Sequence, residues 1–314
     1  MKRTCLVLML VVVVQLCSAQ QPPNLPNYNA IAILRWYRAN LSVTFPVGHG
    51  PGGIVFDGAN MWISNFTDNT VTKLRANDGS LQGTFAAGNS PSGMAFDGAH
   101  IWVADQGASS VTEIQASDGA PLANITVGNS PIAIAFDGIK VWVVNDADGT
   151  VTIIRVADGK KLGTLPVGGS PQGVAFDGVN IWVMNTGTSN LTKIRASDGK
   201  ILGTFTAGIG PVAAAFDGEN LWVANQGSNN VTKLRVTDGA VLGTFPVGSL
   251  PQAVVFDGAN IWVTNFSSNT VTKLRASDGA TLGTFPVGMF PSGAAFDGAN
   301  VWVVNAGDNT VSKR

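Results

Sequence analysis

The chain has 314 residues, 12 % of them charged, with 38 glycines, 15 prolines and a formal net charge of −1. That length supplies ample chain for a sizeable core and excludes a wholly disordered protein. The near-zero charge excludes the basic footprint that a nucleic-acid-binding protein needs.

At the N-terminus, Lys2 and Arg3 precede an apolar run from Leu6 to Val14, and the stretch ends in Cys17-Ser18-Ala19. A basic start, a short apolar segment and small residues at −3 and −1 predict a signal peptide over 1–19, cut after Ala19. The apolar run is too short for a membrane span, which takes about 20 residues, and no later stretch approaches that length, so no transmembrane segment is expected. Leu16 stands where a lipoprotein signal carries a small residue, which argues against lipid attachment at Cys17. Cys5 and Cys17, the only two cysteines, both fall inside the signal. The mature chain is thus expected to have no disulfides, thiolate metal site or cysteine nucleophile, and to be secreted or periplasmic. Residues 20–40 read as a leader, loose over 20–30 where Pro22, Pro23 and Pro26 cluster. Within it, 31–38 resembles a degenerate third strand and carries Trp36.

From residue 41 onward the chain is one repeat. Tryptophans recur every 40 residues from Trp62 to Trp302, Phe-Asp-Gly recurs from Asp57 to Asp297, and a proline recurs from Pro51 to Pro291. A period of about 40 residues fits propeller blades or helical repeats. Two Asp-Gly pairs, prolines and further glycines in each unit leave no segment of helical length. The first unit reads as strand A over 53–57, strand B over 60–65, strand C over about 70–76 and strand D over about 81–87, with Asp57-Gly58 and Asp78-Gly79 as turns. Four antiparallel strands repeated seven times predict an all-β, seven-bladed β-propeller over 41–314. Positions 53 and 55 and their equivalents are only Gly, Ala or Val, as an innermost strand near the axis demands. Strand B is apolar on both faces, as expected of a strand buried between neighbouring sheets, with the tryptophan as a structural wedge. The last repeat stops after strand C at Arg314. Leu41-Ser-Val-Thr-Phe-Pro-Val-Gly48 matches Thr281-Leu-Gly-Thr-Phe-Pro-Val-Gly288, so residues 41–47 are predicted to complete the blade formed by 291–314 and close the ring.

Trp262-Val-Thr-Asn265, followed by Asn269-Thr-Val-Thr-Lys-Leu274 and by Phe285-Pro-Val-Gly288 with Pro291, resembles the YVTN-type propeller repeat. Trp stands here for the family's Tyr, and Phe-Asp-Gly for the Pro-Asp-Gly of many members. The resemblance covers all seven repeats and implies an exported or surface-associated bacterial or archaeal propeller. More distantly the chain resembles propellers of the streptogramin lyase and gluconolactonase type, which hold His, Glu, Asp and Asn at the channel mouth for metal binding or catalysis.

Those residues are sparse in this sequence. His100 sits in an A–B turn and reads as a solvated turn residue. His49, in the D–A loop before blade 1, lacks a second histidine with which to form a metal site, so no metal or other cofactor is expected. The repeated aspartates are turn formers. Asn145-Asp-Ala-Asp-Gly149 carries a fragment of a calcium loop without its closing Glu.

Where seven copies keep one framework, the positions that differ mark what the framework does not dictate. On the end carrying the D–A and B–C loops, apolar departures (Ile209, Leu250, Phe266, Met289, Phe290, Phe66) fall on blades 5, 6, 7 and 1. Polar and acidic ones, among them Asp105, Asp146 and Asp148, fall on blades 2 and 3. With His49, these residues define the candidate binding surface, because clustered exposed apolar groups mark interaction sites. The expected function is a non-catalytic scaffold for an unidentified protein or small-molecule ligand. The alternative is a lyase- or lactonase-like enzyme acting at the channel mouth.

Overall fold

The computed structural model describes residues 43–314. The expected signal peptide, the leader and the strand-like stretch at 31–38 lie outside the described residues. Seven four-stranded antiparallel sheets form, giving the expected seven-bladed propeller. In blade 1, strand A is Pro51–Phe56, strand B Asn60–Asn65, strand C Thr70–Arg75 and strand D Leu81–Ala86. Strand A starts two residues earlier than the turn pattern predicts. Its register with strand B slips between Pro51 and Ile54, so a bulge hides the first residues from a period-2 reading. The small residue at position 53 has a steric cause: a Cβ on Gly53 would run into the carbonyl of Ser92, on the next blade's strand A.

The core lies between blades. Trp62 and Val71 of blade 1 pack with Met94, Ile101, Val103 and Ile114 of blade 2, so each sheet buries both faces of its strand B. A fully buried indole must still place its N–H. Trp62 Nε1 donates to Asp57 Oδ2 at 2.7 Å, and the other oxygen, Oδ1, accepts the backbone N–H groups of Ala59 and Asn60 at 2.8 and 2.6 Å. One carboxylate thus caps the A–B turn and satisfies the buried indole. The same bond recurs in every blade at 2.7–2.8 Å. The aspartates are turn formers, as expected, and also the partners of the tryptophans.

Lysines on strand C tie one blade to the next. Lys73 lies over the Trp62 ring, 4.8 Å from its centroid, and donates to the carbonyl of Ala116 in blade 2 at 2.7 Å. Lys193, Lys233 and Lys313 reach Val236, Ala276 and Ala76 in the same way. Blade 3 has Ile153 at this position. There Lys140, from the adjacent strand, covers Trp142 and donates to Ala196 O instead. Blade 2 has Glu113, which cannot donate. It faces His100 at 3.5 Å, and His100 also contacts Asp97 at 3.0 Å. With a quarter of its side chain exposed, His100 is a partnered residue and not the solvated turn residue that its position implied.

The ring closes as the matching ends predict. Val43–Pro46 pairs antiparallel with Thr310–Lys313, with Phe45 opposite Val311. It is the outer strand of the sheet containing Pro291–Phe296 and Val301–Asn305. Among the described residues no helix is long and apolar enough to cross a membrane.

Candidate functional site

The D–A and B–C loops form one end of the ring, the loop face. Each D–A loop is held by its own blade and by the preceding one. In blade 1, Phe66 N donates to Gly50 O at 3.0 Å, and Gly50 N donates to Asn309 Oδ1 of blade 7 at 3.0 Å. The residue at the loop apex adopts a left-handed conformation in every blade. Gly or Ser fills it in blades 1 to 5, whereas blades 6 and 7 place Leu250 (φ 51°) and Phe290 (φ 54°) there. Such a conformation costs a side-chain-bearing residue about 1–2 kcal/mol, and bulky residues in it are rare. Local strain of this kind concentrates at functional sites.

The structure brings part of the apolar set together. Phe266 and Phe290 stack with ring centroids 5.0 Å apart and an interplanar angle of 22°, although 24 positions separate them in sequence. Met289 and Phe290 both lie against Gly307. Phe290 and Phe66 are each 41 % exposed, Met289 47 % and Ile209 65 %, far above the core, while Phe266 is half-buried beneath its partner. Ile209 and Phe66 flank this group on blades 5 and 1, and Leu250 holds the intervening apex.

The acidic members have different fates. Asp148 caps its own D–A loop, accepting Asn129 N at 2.7 Å, and Asp68 does the same for His49 N at 2.7 Å while also holding the His49 ring at 3.0 Å. Hydrogen bonds from the Asn129 backbone and side chain hold the Asp148 carboxyl below its ordinary range. The corresponding bonds from His49 do so for Asp68. Asp146 is half-buried, its Oδ1 has no hydrogen-bond partner among the described residues, and burial pushes its carboxyl up.

Asp105 does not reach the surface. It is fully buried, accepting Gly88 N at 3.0 Å, Ser110 Oγ at 3.2 Å and Thr112 Oγ1 at 2.7 Å. Burial raises its pKa despite these donors. The other blades use asparagine here, whose amide donates to two side-chain oxygens of strand C, as Asn145 does to Thr150 and Thr152 and Asn185 to Asn190 and Thr192. Around Asp105 the hydroxyls reverse, and Asn124 supplies the missing amide to both of them at 3.2 Å. A carboxyl whose pKa rises on folding opposes folding once ionised; the cost is absent at low pH and complete above the folded pKa. Asp105→Asn is therefore expected to stabilise the protein by about 1 kcal/mol at pH 7, with the gain shrinking toward pH 4. Thermal melts of both proteins across that range check it.

The central channel is a cavity of about 320 Å³ walled by the innermost strands, with Ser92, Ile132, Gln172, Val212, Gln252 and Ser292 among its lining and no ionisable side chain among the described residues. Among the described residues, no three His, Cys, Asp or Glu side chains are placed to hold a metal ion. Charge spacing around the ring gave no hint of the Phe266–Phe290 contact; its signal was that both residues depart from the repeat.

Comparison with known proteins agrees with this architecture. The family model described as outer membrane protein assembly factor BamB matches residues 67–312. No curated protein matches the chain significantly. Among solved structures, virginiamycin B lyase from Staphylococcus aureus is 19 % identical with a TM-score of 0.74, over 87 % of this chain and 98 % of that one. A streptogramin B lyase is 17 % identical with a TM-score of 0.74, over 87 % and 96 %. Kuenenia stuttgartiensis hydrazine synthase is 20 % identical with a TM-score of 0.73, over 84 % and 95 %. At these identities the likeness is one of fold.

Proposed function

We infer that this chain, which belongs to the outer membrane protein assembly factor BamB family, is an exported propeller that serves as a rigid binding scaffold for a partner protein. Within that family, Trp262-Val-Thr-Asn265 and its looser equivalents in the other blades support a YVTN-type repeat. The family's name, tied to assembly in the outer membrane, supports export through the 1–19 signal and a secreted or periplasmic location.

The observation that carries the scaffold reading is the Phe266–Phe290 stack, exposed on the loop face. Phe290 sits at an apex that costs backbone strain. An exposed apolar group held at an energetic cost is what selection for binding leaves behind. Lyase neighbours raise the enzyme alternative, with a site at the channel mouth. Among the described residues the channel wall carries no ionisable side chain, so acid–base chemistry inside the channel has no titratable group to use. Metal analysis of the purified protein with an activity screen tests the enzyme reading directly.

Phe266→Ser with Phe290→Ser is expected to abolish capture of the partner from the native envelope or medium, read by mass spectrometry. Serine already occupies the left-handed apex in blades 2, 3 and 4, so the variant keeps the fold. Undiminished capture would sink the scaffold reading of this face.

A further inference from the structure

Between residues 43 and 313 there are fourteen lysines and arginines and twenty aspartates and glutamates, and the ring sorts them by end. All fourteen cations belong to the end opposite the loop face. The strand C lysines 73, 193, 233 and 313 place their ammonium groups on carbonyls of the C–D turns there. Lys273 faces Asp257 of an A–B turn at 4.0 Å, and Lys140 donates to Ala196. The five arginines pair with turn aspartates, as Arg275 does with Asp278 at 3.0 Å. Lys160, Lys161 and Lys200 lie in those turns themselves or at their edge. Fifteen acids share that end, so it is nearly neutral. The loop face keeps the other five, Asp68, Asp105, Asp146, Asp148 and Asp308, with no lysine or arginine among them. Asp105 is buried, and His49, the one basic group there among the described residues, is bonded to Asp68.

Two of these acids lie in the apolar sector. Asp308 accepts Met289 N at 2.6 Å, next to the residue that stacks on Phe266, and Asp68 belongs to the loop that begins with Phe66. The sector thus joins exposed aromatic and aliphatic side chains to exposed carboxylates, with His49 beside Asp68 and no lysine or arginine among the described residues of that face.

We propose that the loop face binds a cationic, apolar-anchored segment of a partner protein: an apolar side chain against Phe266, Phe290 and Met289, and flanking lysines or arginines on Asp308 and Asp68. This rests on the scaffold reading and adds the chemistry of the partner. Charge complementarity carries the choice of occupant, because an acidic face without cations attracts a basic segment and repels an acidic one. Arginine further suits exposed phenylalanine faces, over which a guanidinium stacks. Among the described residues a second copy of this chain offers no matching surface: its loop face is equally acidic and its other end is nearly neutral.

The test uses the full chain and three fluorescent peptides of equal length: lysine alternating with leucine and phenylalanine, glutamate in place of the lysines, and lysine alternating with serine. Anisotropy is expected to show binding of the first, at least tenfold tighter than either other. Its affinity should fall about tenfold between 50 and 300 mM salt as screening shortens the reach of the carboxylates. Asp68→Asn with Asp308→Asn keeps the loop caps, because the amide oxygen accepts the same N–H, and should weaken binding at least fivefold with an unchanged melt. Asp118→Asn, at the opposite end, should leave it unchanged. Equal loss with Asp118→Asn, equal binding of the glutamate peptide, or no binding of the lysine–leucine–phenylalanine peptide would overturn the proposal. If Phe266→Ser with Phe290→Ser still removes native partner capture while the aspartate variants change nothing, the cationic partner falls and the scaffold stands. Self-association in sedimentation that Phe266→Ser and Phe290→Ser abolish would assign the face to a second copy and also overturn it.

Discussion

Asp177→Ala is expected to destabilise the protein by about 3–4 kcal/mol, one of the largest losses available to a single polar side chain in this fold. Asp177 Oδ2 accepts Trp182 Nε1 at 2.7 Å, and Oδ1 accepts Val179 N at 2.9 Å and Asn180 N at 2.6 Å. Trp182 is fully buried, so no water replaces the lost acceptor, and an unsatisfied buried donor alone costs about 1–3 kcal/mol. Uncapping the A–B turn adds to that loss. For a domain of this size the melting temperature should drop by about 10 °C. Asp177→Asn, which keeps one acceptor oxygen, should cost roughly half as much. A melt of Asp177→Ala within 2 °C of the parent protein would refute the role assigned to the carboxylate.

The same motif sets an acid limit. At Asp57, Asp97, Asp257 and Asp297, burial pushes the carboxyl up. The indole N–H together with the backbone and side-chain donors outweighs it and holds the pKa below the ordinary 3.8. A carboxyl depressed on folding contributes stability that is complete above its unfolded pKa and is lost as pH falls through the folded value. The ring is therefore expected to hold to about pH 4 and to lose stability steeply below it, because several blades titrate together. Tryptophan fluorescence follows the transition through the very indoles that lose their acceptors.

Removing residues 20–48 is the second large effect. The closing strand carries Phe45, which stacks on Trp302 at 5.4 Å and covers Gly79 of blade 1. Val47 N donates to Asn309 O at 3.0 Å. Without this segment blade 7 ends in an open strand, Thr310–Lys313, and loses the packing of Phe45 on blade 1. A drop of more than 10 °C, with aggregation through the exposed edge, is the expected result. Phe45→Ala keeps the backbone ladder and isolates the packing: it should cost about 2–3 kcal/mol, below the range for a fully buried phenylalanine because Phe45 is only half-buried. An unchanged melt for the deleted chain would show that the ring closes by other means.

Much of this molecule could be read before folding. Strand, turn and blade are local patterns, and Trp62, Asp57, Pro51 and Gly53 repeat them with a period of 40, which leaves one architecture open. Closure was equally legible, because 41–48 copies 281–288. The candidate surface was visible only as departures: Leu250 and Phe290 stand out because the other blades place Gly or Ser there.

The period itself hid the rest. A periodic sequence says what each blade contains and is silent on which atoms of one blade meet those of the next. The Trp–Asp bond, five residues apart, is hidden in the sequence because aspartate before glycine already has a sufficient role as a turn former. Lys140 replacing the lysine missing at Ile153 needs the register of Trp142 against Ile153. Asp105 departs from the repeat on the loop side of its blade, yet its side chain turns inward to the hydroxyls of Ser110 and Thr112, which only packing decides. The whole-chain net charge of −1 conceals a balance of −6 between residues 43 and 313, where fourteen lysines and arginines meet twenty acids. Folding divides it, since strands of alternating direction send every lysine and arginine between 43 and 313 to one end and leave aspartates alone at the other. Composition and period determined the ring; the direction of each side chain, and with it the acidic and apolar face, was settled by the tertiary structure.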